Sequence, residues 1–360
     1  MKRKLSFIFA VICLVVFTVQ VGFAAEQTIS TLPNIKILAT GGTIAGAAAS
    51  NTQTVGYKAA VFPVEDLINA VPELKKVANV SGEQVAQIAS QNMNDEVWLK
   101  LAKRVNVLLA SDDVDGIVIT HGTDTLEETA YFLNMVVKSD KPVVLVGAMR
   151  PATAMSADGP LNLYNAVLTA GSPDAKHKGV LVAMNDTILS ARDVIKTNSF
   201  MVDTFKSPDS GAIGYIQSGK VYFYKESTRK HTSQTVFDIS GINKLPRVDI
   251  VYGYANASGD YVDTALKVGA KGIINAGVGD GSLYIDVESA LINAQKNGVV
   301  VVRSTRTGSG IVARNGEADD DKLHFVASDS LSPQKARILL MLALTKTDNP
   351  QEIQQMFWEY

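Results

Sequence analysis

Hydroxyl, amide and carboxylate side chains are grouped in three short segments of this sequence. They include Thr43, Ser90, Gln91, Thr123 and Asp124. Each segment follows a short run of β-branched and apolar residues that predicts a strand. Ligands of open α/β sheets bind beyond the carboxyl ends of the strands, where such segments meet. Together the three segments therefore predict a site for a polar small molecule.

A threonine in such a site suggests nucleophilic chemistry. Its hydroxyl is a poor nucleophile until a base removes the proton. A lysine can act in this way when its pKa is lowered, and a carboxylate can orient it. Lys196, in the polar segment after the last predicted strand of the first half, is the candidate. Taken alone, a threonine such as Thr43 near glycines is more often a turn residue, and a lysine is more often exposed to solvent. The presence of Thr123 and Asp124 favours catalytic roles for both.

Short β-branched runs alternate with longer amphipathic stretches along the chain. This pattern is typical of a parallel sheet covered by helices, so the predicted fold class is α/β. Strands are predicted at residues 35–40, 85–89, 116–120, 143–146 and 180–184, and then at 249–252, 272–275 and 299–303. The first five show little alternation of apolar and polar residues, which indicates that both faces of their sheet are buried.

Helices are predicted between these strands at residues 127–137 and 161–170, and a further helix at residues 334–345 is predicted to close the chain. Thr125 and Glu128 have the spacing of a capping box for the first of them. Pro160 suits the first turn of the second.

The chain is predicted to contain two domains. A larger N-terminal α/β domain over residues 25–225 has helices on both faces of its sheet and carries the polar segments. A linker over residues 226–246 loses the rhythm of strands and helices. A smaller C-terminal α/β domain follows over residues 247–360.

Two glycine-rich segments imitate nucleotide-binding loops. The first has Thr43 where a dinucleotide fingerprint requires glycine. Residues 214–220 have the spacing of a phosphate loop, but they continue into a strand-like stretch where that motif requires Ser or Thr and a helix. Neither segment predicts a nucleotide cofactor.

The first residues predict an export signal. A basic start is followed by an apolar run at residues 5–21 and by small residues up to a predicted cleavage site after Ala24. A membrane anchor is the alternative, but the run is at the short end for a span. We therefore expect residues 1–24 to be removed and the mature protein to lie in the periplasm or outside the cell.

Composition excludes several kinds of site. Cys13 is the only cysteine and lies in the predicted signal, so the mature chain lacks disulfides and thiolate metal sites. None of the four histidines has the spacing of metal ligands, and we expect no metal or other cofactor. Removing three basic residues with the signal changes 34 basic and 36 acidic residues to 31 and 36, a formal charge of −5. This balance indicates neither nucleic acid nor a membrane as partner.

Two segments resemble those of a known family. Residues 37–46 read Ile-Leu-Ala-Thr-Gly-Gly-Thr-Ile-Ala-Gly, and residues 119–128 read Ile-Thr-His-Gly-Thr-Asp-Thr-Leu-Glu-Glu. Both resemble the signature segments of the bacterial type II asparaginases and glutaminase-asparaginases, and the likeness extends over residues 32–360. The resemblance implies hydrolysis of L-asparagine to L-aspartate and ammonia through a threonine acyl-enzyme.

The resemblance also implies catalytic roles for individual residues. Thr43 matches the family's nucleophile, and Tyr57 matches the residue that positions and activates it. Thr123, Asp124 and Lys196 match a second catalytic group, in which the lysine moves protons through the threonine.

A further set of residues is implied to hold the substrate's α-carboxylate and α-ammonium groups. It comprises Ser90, Gln91, Thr123 and Asp124 and, from a neighbouring subunit of a homotetramer, Ser282 and Glu317. Hydroxyl and amide donors suit the carboxylate, and carboxylates suit the ammonium. Ser282 stands where several asparaginases have asparagine, so it could leave room for the extra methylene of glutamine. We therefore expect secondary activity on L-glutamine.

A different class of function is the alternative. A periplasmic amino-acid-binding protein without catalysis would share the export signal, the α/β composition and the two domains. It would need no nucleophile and would release no ammonia.

Overall fold

The computed structural model describes residues 32–360, so the predicted export signal at residues 1–24 lies outside the described residues. Ten strands occupy the first half of the described chain: β1 (Asn34–Gly41), β2 (Asn79–Ile88), β3 (Gly116–Thr120), β4 (Val143–Val146), β5 (Val180–Met184), β6 (Thr187–Ser190), β7 (Ile195–Lys196), β8 (Phe205–Lys206), β9 (Gly214–Gln217) and β10 (Lys220–Phe223). Eight of them form one sheet in the order β10-β9-β6-β5-β4-β3-β1-β2, while β7 pairs with β8. Within this sheet β1, β2, β3, β4 and β5 are parallel to one another. Strands β6, β9 and β10 extend it through antiparallel pairs.

Four α-helices accompany this sheet: α1 (Val64–Asn69), α2 (Asp95–Leu109), α3 (Leu126–Val136) and α4 (Gly159–Ala170). Helix α4 contacts β3, β4 and β5, whereas α2 contacts β2 and β3. Every residue of β3, β4 and β5 is buried, as expected of central strands that are covered on both faces.

The second half contains a smaller parallel sheet of β11 (Val248–Tyr252), β12 (Gly272–Gly277), β13 (Val300–Thr305) and β14 (Val326–Ala327). Its helices are α5 (Asp260–Lys267), α6 (Ile285–Lys296), α7 (Asp320–Leu323), α8 (Pro333–Ala343) and α9 (Pro350–Glu359). Helix α8 contacts both this sheet and α3. The larger hydrophobic core accordingly includes residues of both sheets, such as Val118 and Val302. The predicted α/β fold is confirmed.

The buried strands match the sequence prediction closely. The predictions at 116–120, 143–146 and 180–184 coincide with β3, β4 and β5. Strand β2 begins at Asn79, six residues before the prediction at 85–89. It lies at the edge of the sheet and buries only Val85 fully, so its first residues lack an apolar pattern.

Two predictions about helices are wrong. Thr125 makes no capping hydrogen bond to α3; its hydroxyl instead donates to the Ser90 carbonyl oxygen at 2.8 Å. The helix at 334–345 does not close the chain, because α9 follows it and begins at an Asn349 cap. The cap and Pro350 at the first helical position are recognisable signals in the sequence.

Residues 226–246 contain no strand and no α-helix, and only a 3-10 turn at Thr232–Gln234. The segment is nevertheless packed, since Phe237 and Ile239 belong to the larger core. Thr235 also accepts a hydrogen bond from Lys138 Nζ at 2.7 Å. It therefore lies against the end of α3.

The phosphate-loop imitation is a β-hairpin. Strand β9 ends at Gln217 and β10 begins at Lys220, with Ser218 and Gly219 at positive φ in the turn. No helix in residues 32–360 has the length and apolar character needed to cross a membrane.

Candidate active site

Thr43 follows the end of β1 and begins a 3-10 turn at Thr43–Ala45. It is almost entirely buried, and its Oγ1 lies 2.7 Å from Tyr57 Oη. Tyr57 belongs to a loop that is closed by an isolated bridge between Ala47 and Lys58, with hydrogen bonds of 2.9 and 3.0 Å. The bridge holds the loop so that the phenol reaches the threonine.

Two glycines let the loops of the site approach each other closely. A Cβ on Gly42, whose φ is +85°, would lie 2.3 Å from the Gly122 backbone, and a Cβ on Gly122 would lie 2.5 Å from Ser90 Oγ. Any side chain at either position would force the loops apart. Glycine is therefore required where the segments after β1, β2 and β3 meet.

Lys196 reaches the site from β7. Its Nζ donates to Thr123 Oγ1 at 2.9 Å and to Asp124 Oδ1 at 2.8 Å. The lysine side chain is mostly buried, whereas the Asp124 carboxylate is half exposed. The second oxygen of that carboxylate is thus accessible to a cationic ligand.

Ser90, in the loop after β2, is hydrogen-bonded to the loop after β3. Its Oγ accepts a hydrogen bond from the Asp124 backbone N–H at 3.1 Å, and its carbonyl accepts from Thr125. The side chain is buried, but the hydroxyl proton is not used in these bonds and can be donated to a ligand.

These side chains line one cavity of about 460 Å³. The predicted residues at its wall are Thr43, Tyr57, Ser90, Gln91, Thr123, Asp124 and Lys196. Thr43 and Thr123, each with its own hydrogen-bonded partner, therefore face a common space. The volume suits a small polar molecule.

Two predicted residues do not reach this cavity within the single chain. Ser282 lines a separate cavity of about 300 Å³, together with Tyr284 and Arg306. Glu317 is exposed on the loop between β13 and α7. Their assignment to a neighbouring subunit's site stays a prediction.

The cavity wall includes residues that sequence reasoning missed. Met149 and Arg150 follow β4, and Ser199 and Phe200 follow β7. The rule that ligands bind beyond the strand ends could have identified Arg150. Phe200 carries no such signal, because it is an exposed apolar residue in a loop.

His121 has a structural role in the loop after β3. Its Nδ1 is 2.7 Å from the Gly122 carbonyl oxygen, and its Nε2 is 2.9 Å from Thr129 Oγ1. Complete burial lowers the pKa of His121 to about 4. The imidazole is therefore neutral at neutral pH and holds the loop in place.

In residues 32–360, no group of three or more His, Cys, Asp or Glu side chains could hold a metal ion.

Glu128, in the first turn of α3, links stability to pH. Burial, and after it the neighbouring Glu127, raises the pKa of Glu128 from 4.5 to about 7. The folded state then binds this proton more tightly than the unfolded state, so stability falls as pH rises from 4.5 to about 7. We expect Glu128→Gln to raise the free energy of unfolding at pH 8 by about 1 to 3 kcal/mol and to change it little at pH 4.

Denaturant unfolding at the two pH values measures this effect. Glu65→Gln on α1 is the matched control: Glu65 is exposed in the first turn of its helix, so removing its charge should lower the free energy of unfolding at pH 8 by at most about 1 kcal/mol and should not raise it. A Glu128→Gln variant that is less stable than the parent at pH 8 would contradict the assignment.

Comparison with known proteins identifies the family. A family model described as asparaginase, N-terminal, matches residues 34–229, and one described as the glutaminase/asparaginase C-terminal domain matches residues 247–357. The chain belongs to the asparaginase family. The resemblance stated from the two signature segments is thus confirmed.

Several members of the asparaginase family are similar over nearly their full length. L-asparaginase 2 of Bacillus subtilis (strain 168) is 60% identical over 343 residues, which cover 95% of this chain and 91% of the relative. The glutaminase-asparaginase of Pseudomonas fluorescens biotype A is 53% identical over 352 residues, covering 98% and 97%. The crystal structure of a probable cytoplasmic L-asparaginase from Campylobacter jejuni has a TM-score of 0.89 at 53% identity, covering 91% of this chain and 100% of that one.

Proposed function

We propose that this protein is an amidohydrolase that converts L-asparagine to L-aspartate and ammonia through an acyl-enzyme on Thr43. The observation that carries the proposal is the common cavity, in which Thr43 contacts Tyr57 and Thr123 contacts Lys196. The names of the relatives agree with this reaction, since they are L-asparaginases and a glutaminase-asparaginase.

In the first half of the reaction, Thr43 Oγ1 attacks the carbon of the side-chain amide. Its proton passes through the hydrogen-bonded groups of the site to the amide nitrogen, and the C–N bond breaks with release of ammonia. In the second half, water attacks the resulting ester and frees the Thr43 hydroxyl and L-aspartate. Backbone N–H groups near Thr43 and Thr123 are the proposed donors to the oxyanion.

Substrate orientation is assigned to the polar wall of the cavity. Ser90 and Gln91 offer hydroxyl and amide donors to the α-carboxylate, and Asp124 accepts from the α-ammonium. Ser282 and Glu317 complete the site from a neighbouring subunit of a homotetramer. Glu317 adds a second carboxylate near the ammonium.

Ammonia release tests the reaction and its specificity. We expect kcat/KM for L-glutamine to lie within about 10- to 200-fold of the value for L-asparagine, because one methylene in a pocket is worth about 1 to 3 kcal/mol. Ser282→Asn should lower kcat/KM for glutamine more than that for asparagine. A preference for asparagine of several thousandfold in the parent protein would defeat the proposed glutaminase activity.

An amino-acid-binding protein without catalysis is the less favoured function. It would need neither the Thr43–Tyr57 contact nor the Thr123–Lys196 contact. Binding of asparagine without ammonia release would favour it over the hydrolase.

Export to the periplasm or the medium is proposed from residues 1–24. Mass determination of the mature protein from cell fractions tests it, with a new N-terminus at Ala25 expected. An intact N-terminus in the cytoplasmic fraction would contradict export.

A further inference from the structure

The backbone that presents Lys196 is held from two sides by buried charged residues. On one side, Glu127 Oε2 accepts a hydrogen bond from the Lys196 backbone N–H at 2.5 Å. On the other, Lys335 Nζ donates to the carbonyl oxygens of Arg192 and Val194 at 2.8 and 2.5 Å. The segment from residue 192 to residue 196 is therefore clamped just before the lysine side chain enters the cavity.

The clamp joins the two halves of the chain. Glu127 lies on α3, close in sequence to Thr123 and Asp124, whereas Lys335 lies on the first turn of α8. The neighbouring Gln334 on α8 donates its amide to Glu127 Oε1 at 2.6 Å, so both carboxylate oxygens are occupied. The same carboxylate thus connects α8 with the Lys196 backbone.

Both charged side chains are hidden from solvent, with exposures of 5% for Glu127 and 1% for Lys335. Burial lowers the pKa of Lys335 to about 8, with the opposing effect of Glu127 next in size. A buried charge destabilises the folded state unless hydrogen bonds to well-placed partners compensate for the lost hydration. Their partners here are the backbone groups around Lys196 and, for Glu127, also the Gln334 amide.

We propose that Glu127 and Lys335 act as positioning residues for Lys196. They do not line the cavity of Thr43; they fix the backbone from which Lys196 Nζ reaches Thr123 and Asp124. The inference rests on the proposed function, because it presumes that Lys196 takes part in the reaction. A displacement of about 1 Å in a reacting group can cost roughly 10²-fold in rate.

The first test is a double-mutant cycle measured as kcat for ammonia release from L-asparagine. We expect Lys335→Met to lower kcat roughly 10- to 100-fold in the parent protein and to have almost no further effect in a Lys196→Met background. Equal losses in both backgrounds would indicate general loosening and would overturn the inference. An unchanged kcat for Lys335→Met in the parent would also overturn it.

Glu127 offers a second test, which separates hydrogen bonding from charge. Glu127→Gln keeps an acceptor for the Lys196 N–H, and the Gln334 amide can turn to accept from the new NH₂ group. We expect Glu127→Gln to retain most of kcat and Glu127→Ala to lose it roughly 10- to 100-fold. Equal activity of the two variants would contradict positioning by Glu127.

Lys138→Met is the matched control. Lys138 also donates to a carbonyl oxygen, that of Thr235 at 2.7 Å, but it lies at the end of α3 away from the cavity. The Lys138→Met variant should alter Tm without altering kcat.

If Lys335→Met does not fold, Gln334→Leu provides another test. It removes only the hydrogen bond between Gln334 and Glu127 and should also lower kcat. Failure of the proposed function is distinguishable, because the parent protein would then release no ammonia from L-asparagine, and a role for Lys196 would fail separately if Lys196→Met left kcat unchanged.

Discussion

Thr43→Ala is expected to lower kcat for asparagine hydrolysis by a factor on the order of 10⁴ to 10⁶, the loss that accompanies removal of a nucleophile in hydrolases with covalent intermediates. The reason is that Thr43 Oγ1, 2.7 Å from Tyr57 Oη, is the proposed attacking atom. Ammonia release measures the loss. Asparagine should still bind, because Ser90, Gln91 and Asp124 are untouched.

Two further variants, one at Thr43 itself and one at Thr52, make this test specific. Thr43→Ser keeps a hydroxyl in place and should retain far more activity than Thr43→Ala. Thr52→Ala removes an exposed hydroxyl from the loop that carries Tyr57 and should leave kcat unchanged. A Thr43→Ala variant that folds and retains a tenth of the parent activity would exclude Thr43 as the nucleophile.

Lys196→Met is expected to lower kcat by roughly 10²- to 10⁴-fold, which is the usual range for a group that transfers protons in the transition state. Lys196 Nζ is hydrogen-bonded to both Thr123 Oγ1 and Asp124 Oδ1. Its loss leaves Thr123 without a proton donor or acceptor at that position. Steady-state kinetics of ammonia release, with Tm measured in parallel, provides the value.

Lys206→Met is the control for this variant, because Lys206 lies on the adjacent strand β8 and forms an exposed ion pair with Asp203. It should leave kcat within about twofold of the parent, since exposed ion pairs contribute little. Partial rescue of Lys196→Ala by added methylamine would support a proton-transfer role. A Lys196→Met variant with parental kcat would remove the lysine from the mechanism.

The sequence by itself determined the central part of the fold. Strands β3, β4 and β5 were predicted at their observed ends because all their residues are buried, and burial on both faces demands continuous apolar runs. The polar segments after the strands were identified for a related reason. Parallel strands bring their carboxyl ends to one edge, so side chains that follow different strands meet there.

Other features depended on contacts between residues far apart in the chain. The start of β2 was missed because an edge strand needs no apolar pattern. The Thr125 cap was wrong because that side chain is directed to the carbonyl of Ser90, 35 positions away, to which its hydroxyl donates. Individual distances also came only from the tertiary structure. Lys196 reaches Thr123 across 73 positions because Glu127 and Lys335 hold its backbone. Sequence pattern records which residues are buried, whereas hydrogen bonds between distant loops decide which polar groups touch.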